Sequence, residues 1–229
     1  MKKKINIDIV SDVACPWCFV GKRRLEEALS RLPEYEAKVN WHPFQLDPTI
    51  PASGIERETY FKNKFGSKER YEMLAENLID AGQGVGIKFD FKGNPTVPNT
   101  MKMHQLLQVA SQNNFADSLK ERLLKAYFEE GTDLSKDQAL IDIMVAYEWS
   151  PEYTQSVIDN TEIANLVSQE IKNYQKMGVT GVPFFIFDNK YAFSGAQPPE
   201  VFINAIKEIE AKQEELEKAE ACAIDEPNC

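Results

Sequence analysis

The amino-acid sequence predicts an α/β fold in which a βαβ unit and a ββα unit share one central mixed sheet, with a large all-helical insertion between them. Three observations carry the prediction. Two strand-like apolar runs, the second centred near residue 42, flank a segment of helical period. From about 55 to 177 nearly every segment has helical period. The strand pattern then returns at 183–193 and leads into one more amphipathic stretch.

Taken in order, Ile5, Ile7, Ile9 and Val10 read as a buried strand. Cys18, Lys22, Leu25, Ala28, Leu29 and Leu32 recur at helical spacing, giving a helix over about 16–31 that Pro33 ends. Val39, Trp41, Phe44 and Leu46 form the second strand, with Asp47-Pro48 marking its exit. Stops at Gly66, Gly82, Gly131 and Gly178 help divide the block into helices near 56–64, 67–81, 99–113, 115–129, 136–147, 151–159 and 161–177, with a short strand at Ile87–Phe91. Gly82-Gln83-Gly84-Val85-Gly86 follows a helix rather than a strand, so it reads as a helix exit and not as a phosphate loop. Met101, Met103, His104, Leu107 and Met144 read as core. Residues 183–187 and 191–193 form a hairpin about Asp188-Asn189-Lys190. Val201, Phe202, Ala205, Ile206 and Ile209 then make one stripe of a terminal helix whose pattern fades by about Lys218. The boundaries this implies are 1–48 with 180–217 for the sheet domain, 49–179 for the helical domain, and 218–229 for a tail.

Charge and composition narrow the function. With 36 acidic against 26 basic residues in 229 the net charge is −10, which argues against nucleic-acid and anionic-membrane partners. No segment approaches the roughly 20 apolar residues of a membrane span. Met1-Lys2-Lys3-Lys4 resembles the start of a signal peptide, but Asn6, Asp8 and Asp12 break the apolar run that follows, so a cytoplasmic location is expected. In a reducing compartment a C-x-x-C motif is more readily catalytic than structural.

That motif is Cys15-Pro16-Trp17-Cys18, at the junction of the first strand and helix. The first N–H groups of a helix lack internal partners and carry the positive end of its dipole, so they favour a thiolate; Cys15 is expected to be exposed and acidic. Pro16 suits the first helical position. Cys18 lies one turn on, within reach of Cys15. A zinc site would need ligands from Cys222, Cys229, His42 or His104, yet the chain has only one short cysteine pair, so redox chemistry is favoured and no metal is expected. His42 reads as structural more readily than as part of the site.

Asp12-x-x-Cys15-Pro16-Trp17-Cys18, Trp41-x-Pro43-Phe44-x-Leu46 and Gly178-Val179-x-Gly181-Val182-Pro183 together resemble the DsbA-like thioredoxin family, in its cytosolic FrnE-like form, over nearly the whole chain. The resemblance implies a thioredoxin fold and a thiol-disulfide oxidoreductase or isomerase acting on protein or small-molecule thiols and disulfides. It places a cis Pro183 facing the cysteines. On the residues alone, a proline opening a strand is permitted in either isomer; beside the C-x-x-C, cis is expected. Thiol chemistry makes Cys15 the nucleophile and Cys18 the resolving thiol, with Pro16 and Trp17 setting redox poise and contact surface. Val182 and Pro183 are expected to pair with an extended substrate.

One feature departs from the pattern. Ile9 stands six residues before Cys15, where the fold often has a buried carboxylate, leaving Asp8 or Asp12 as substitutes for the Cys18 proton acceptor, although Asp12 serves equally well as a helix cap. FrnE-like proteins also carry an extra C-terminal cysteine pair, here Cys222 and Cys229, which reads either as a second redox pair that relays electrons or as a static disulfide or two free thiols. Two other functions stay open: a glutathione-dependent isomerase or transferase of the kappa or 2-hydroxychromene-2-carboxylate isomerase type, whose members place serine where Cys15 stands, and a redox-inert chaperone. No cofactor is expected beyond glutathione as a co-substrate.

Overall fold

The computed structural model describes residues 2–224. β1 (Lys3–Ser11) is central, because Ile5, Ile7, Ile9 and Val10 are all buried and need cover on both faces. α1 (Pro16–Ser30) crosses over to β2 (Tyr35–Pro43), which runs parallel to β1 with Ile9 beside Trp41. β5 (Phe184–Phe187) and β6 (Tyr191–Ser194) add an antiparallel hairpin on the other side, giving strand order β2-β1-β5-β6. Asp188 and Asn189 at its tip both have positive φ, as the tight turn requires. The βαβ and ββα halves thus form one mixed sheet, closed by α9 (Pro199–Ile224).

Between the halves run α2 (Arg57–Phe65), α3 (Lys68–Gln83), α4 (Met101–Gln112), α5 (Ala116–Phe128), α6 (Asp137–Val145), α7 (Pro151–Ile158) and α8 (Thr161–Lys176). Each matches a predicted segment within a few residues. The strand expected at Ile87–Phe91 is absent. Its alternation arises because Ile87 and the stacked rings of Phe89 and Phe91 all turn into the helical core, while Asp90 N–H bonds Phe128 O at 2.7 Å and Lys88 N–H bonds Glu129 Oε1 at 2.8 Å. The short strands of this region are instead β3 (Ile55–Glu56) and β4 (Thr96–Val97), which pair antiparallel. α9 also outlasts its apolar stripe and continues past Lys218. The Cys222 side chain and all of Cys229 lie outside the described residues. Among the described residues no helix is long and apolar enough to cross a membrane.

α1 is gripped by two cores. Phe19 and Val20 face the helical block, packing with Leu106, Leu123 and Phe128. Leu25 and Ala28 face the sheet and α9, packing with Phe185 and Phe202. Trimming Phe19 to alanine in such a site typically costs about 3–5 kcal/mol. The element that carries both cysteines is therefore fixed from both sides.

His42 is held by two carboxylates. It sits on β2 between Asp8 Oδ1 at 3.1 Å and Glu170 Oε1 at 2.6 Å. Burial lowers its pKa, but the two carboxylates outweigh burial and lift it to about 9. A pKa raised by folding stabilises the fold fully below the unfolded value near 6.5, and that contribution is lost as pH rises through 9. We expect stability to fall across pH 6.5–9 by up to about 3 kcal/mol. In His42→Gln, urea unfolding at a series of pH values should show that slope flattened.

Candidate active site

The cysteines sit where β1 gives way to α1. Cys15 is the helix N-cap, with extended backbone (φ −97°, ψ 110°), and Pro16 occupies the first turn, where its missing N–H costs nothing. Cys18 N–H closes the turn onto Cys15 O at 3.0 Å. Both thiols are free, and both are buried, at 3 % and 1 % exposure. Trp17 between them is 39 % exposed.

The opposite wall is the segment that opens β5. The Val182–Pro183 peptide bond is cis. The Cys15 thiol donates to Val182 O at 3.5 Å, and Pro183 O accepts from Gly195 N–H at 2.8 Å, which ties this wall to the end of β6. Gly21, one turn beyond Cys18, makes the approach possible: a Cβ there would stand 3.1 Å from both Pro183 Cγ and Phe185 Cζ. Gly21→Ala gains about 1 kcal/mol of helix propensity but pushes this wall outward. We expect a net stability change within about 1 kcal/mol and a several-fold slower thiol exchange, read by urea melts and by alkylation of Cys15.

The electrostatics correct the expectation of an exposed, acidic Cys15. Its hydrogen bond with Cys18, its burial and the repulsion of the Asp12 carboxylate all disfavour charge, so its pKa stands well above the ordinary thiol value. The helix end is present but outweighed. Cys18 moves the other way: burial pushes it up, while the hydrogen bond from Cys15, the Lys120 ammonium and the Ser11 hydroxyl together bring it below the ordinary value. Of the two thiols, Cys18 is therefore the one whose surroundings favour the charged form.

Neither candidate carboxylate takes the place that Ile9 leaves empty. Asp8 is engaged by His42 and Asn40. Asp12 does not cap α1 through its side chain; buried at 2 % exposure, it accepts from Leu46 N–H at 2.8 Å and Ala14 N–H at 3.3 Å and lies 3.4 Å from His104 Nε2. Burial raises its pKa, but these donors, His104 foremost, hold it ionised. His104 is further fixed by Phe44 O at 2.8 Å. Among the described residues no three metal-ligating side chains converge.

Lys120 is the residue that sequence reasoning missed. It comes from α5, is 1 % exposed, and has no ion pair or hydrogen bond among the described residues; its ammonium lies 5.4 Å over the Trp41 ring. Burial lowers its pKa, and the charges of Cys18, Asp12 and Cys15 work against that. The signal was in the sequence: Ala116, Leu119, Leu123, Leu124 and Tyr127 form the apolar face of a helix, and Lys120 sits in the middle of it.

Cys15, Pro16, Trp17 and Val182 open onto a cavity of about 390 Å³ between the sheet and α2, α3 and α5. Trp17 and Leu46, both partly exposed, stand at its edge. The structure thus brings Cys15, Cys18, Pro16, Trp17, Val182 and Pro183 together.

Comparison with known proteins agrees with this geometry. The DSBA-like thioredoxin domain model matches residues 6–207, and the chain belongs to that family. The probable DsbA oxidoreductase of Streptomyces coelicolor is 29% identical and superposes with a TM-score of 0.82, over 89% of each chain. The cytosolic disulfide reductase DsbM of Pseudomonas aeruginosa, solved with GSH, shares the fold at 13% identity and TM-score 0.63, over 90% of this chain and 99% of its own. A 2-hydroxychromene-2-carboxylate isomerase shares it at 14% identity and TM-score 0.65, over 95% and 98%.

Proposed function

We propose that this member of the DSBA-like family is a thiol-disulfide oxidoreductase that exchanges disulfides with protein or small-molecule thiols through Cys15 and Cys18. The observation that carries the reading is the pair of free thiols one turn apart at the start of α1, with the cis Val182–Pro183 wall against Cys15. Cys15 is the nucleophile because it lines the cavity, whereas Cys18 lies deeper. The Cys18 thiolate accepts the Cys15 proton as a substrate disulfide approaches. Cys15 sulfur then attacks one substrate sulfur, the substrate S–S bond breaks, and the departing thiolate takes up a proton. Cys18 loses its proton again, attacks Cys15 sulfur, and releases the second substrate thiol, leaving the pair oxidised by two electrons. Lys120 stabilises the Cys18 thiolate at both stages. Val182 offers backbone to an extended peptide, and Trp17 offers contact surface.

Two cysteines favour this dithiol cycle over a glutathione-dependent isomerisation, which needs no resolving thiol. Glutathione is a natural reductant for such a pair in the cytoplasm, where we place the protein. The test is reduction of insulin by dithiothreitol with catalytic protein, run beside a measured reduction potential. Turnover that depends on both cysteines supports the reading; none with either insulin or glutathione disulfide refutes it.

A further inference from the structure

The cavity beside Cys15 is more than a passage to the thiols. At about 390 Å³ it falls within the roughly 300–1,000 Å³ range of small-molecule sites. One wall is aromatic: Phe61 stacks on Tyr71 at 4.6 Å and on Phe65 at 5.7 Å between centroids, and the Arg57 guanidinium lies 5.5 Å over the Phe61 ring, which sets a cation beside an aromatic surface.

Two polar groups on that lining lack what burial normally demands. Arg57 is 8 % exposed, yet it has no carboxylate partner among the described residues. Its Nε donates to Asn94 O at 2.6 Å and its Nη2 to the Tyr127 hydroxyl at 2.9 Å, both neutral acceptors. A buried guanidinium is ordinarily paired with an anion. The Tyr71 hydroxyl is likewise buried with no hydrogen-bond partner among the described residues. Both residues line the same cavity as Cys15. The two acids on the lining do not answer Arg57: Asp12 is held by backbone N–H groups and His104, and Asp47 accepts from Thr49.

We propose that this cavity binds an aromatic, carboxylate-bearing disulfide, its ring against Phe61 and Tyr71, its anionic group paired with Arg57, and its sulfur presented to Cys15. The proposal rests on the exchange reading and names its substrate class. The chemistry is the exchange already described: Cys15 sulfur bonds one ligand sulfur, the aryl thiolate leaves, and Cys18 displaces the second aryl thiolate, so that the ligand gains the two electrons the cysteine pair loses. Glutathione disulfide has the carboxylates but no ring, and uncharged aromatic disulfides have the ring but no anion; each meets half of the site.

The test uses the full chain, reduced, in stopped flow with dithiobis(nitrobenzoate), with dithiodipyridine as the uncharged aromatic comparison and N-acetylcysteine as the free-thiol reference. The rate with dithiobis(nitrobenzoate) should saturate, and the protein's preference for it over dithiodipyridine should exceed that of the free thiol roughly tenfold. Arg57→Gln should remove that preference. Because Arg57 also holds Asn94 and Tyr127, Tyr71→Phe provides a second variant that keeps the ring, and it should lower the preference roughly threefold. A linear concentration dependence, or a preference equal to that of N-acetylcysteine, overturns the proposal. The cavity is read apart from the chemistry in Cys15→Ser/Cys18→Ser, where anilinonaphthalene sulfonate, aromatic and anionic, should bind saturably and roughly tenfold more weakly once Arg57→Gln is added. Such binding in a protein that fails to reduce insulin would sink the exchange reading and leave the site standing. No binding, or binding unchanged by Arg57→Gln and Tyr71→Phe alike, sinks the site.

Discussion

Cys18→Ala is expected to accumulate mixed disulfides with client thiols, while Cys15→Ala loses exchange by at least about a hundredfold. The asymmetry follows from depth and order. Cys15 lines the cavity and bonds first; once it is joined to a substrate sulfur, only Cys18, one turn below, attacks it from within the protein. Removing Cys18 leaves the intermediate to external thiols. Removing Cys15 leaves a sulfur at 1 % exposure that substrates do not reach. Non-reducing gels after challenge with glutathione disulfide or a reduced client, with mass spectrometry of the adduct, separate the two outcomes. Equal activity in both variants, or adducts on Cys18 rather than Cys15, would overturn the assignment.

Cys18→Ala also tests how the two thiols act on each other. With its partner gone, Cys15 loses the hydrogen bond that most raises its pKa, and it should titrate lower than in the parent protein despite burial. Thiolate absorbance against pH reads this directly. A Cys15 that titrates higher in the variant would mean that burial, not the partner, controls it.

Much of this site was legible in the chain because its parts are local. A strand, two cysteines, a proline and a helix within residues 5–31 are read from spacing alone, and Pro183 is marked by the strand it opens. Terms that depend on tertiary approach were not legible. The helix-end argument for an acidic Cys15 considers only the first turn of α1; the neighbouring Cys18 thiol and burial beneath the Val182–Pro183 wall reverse it. Ile87–Phe91 alternates like a strand because its side chains fill a helical core, and alternation does not reveal whether a partner strand exists. Nothing local marked Gly21, since its reason lies in Pro183 and Phe185, far along the chain. The empty place of a buried carboxylate was evident at Ile9. That a cation from the inserted helices stands near Cys18 instead was not.

That cation sets the second large effect: Lys120→Met is expected to raise the lower pKa of the Cys15–Cys18 pair and to slow exchange at neutral pH roughly tenfold. Lys120 is buried at 1 % exposure with no ion pair or hydrogen bond among the described residues, so the thiolate is the charge in its surroundings that appears and vanishes with redox state. The other charged and titratable groups near it are Asp12 at the end of β1, His42 on β2 and His104 on α4, and Asp12 and His104 are already engaged with each other. Reduction creates a partner for Lys120; oxidation removes it and leaves a buried cation poorly compensated. Lys120 therefore favours the dithiol form, and its loss should lower the reduction potential, by about 30 mV for each tenfold loss in reduced-state stabilisation. Methionine keeps much of the side-chain volume against Trp41, so the oxidised variant should be at least as stable as the parent in urea while the reduced variant is not. A purely structural lysine predicts the same loss in both redox states. If the thiolate titration and the potential are unmoved in Lys120→Met, the cation has no part in the redox centre, and Cys18 must draw its stabilisation from Cys15, Ser11 and the backbone of Asp12.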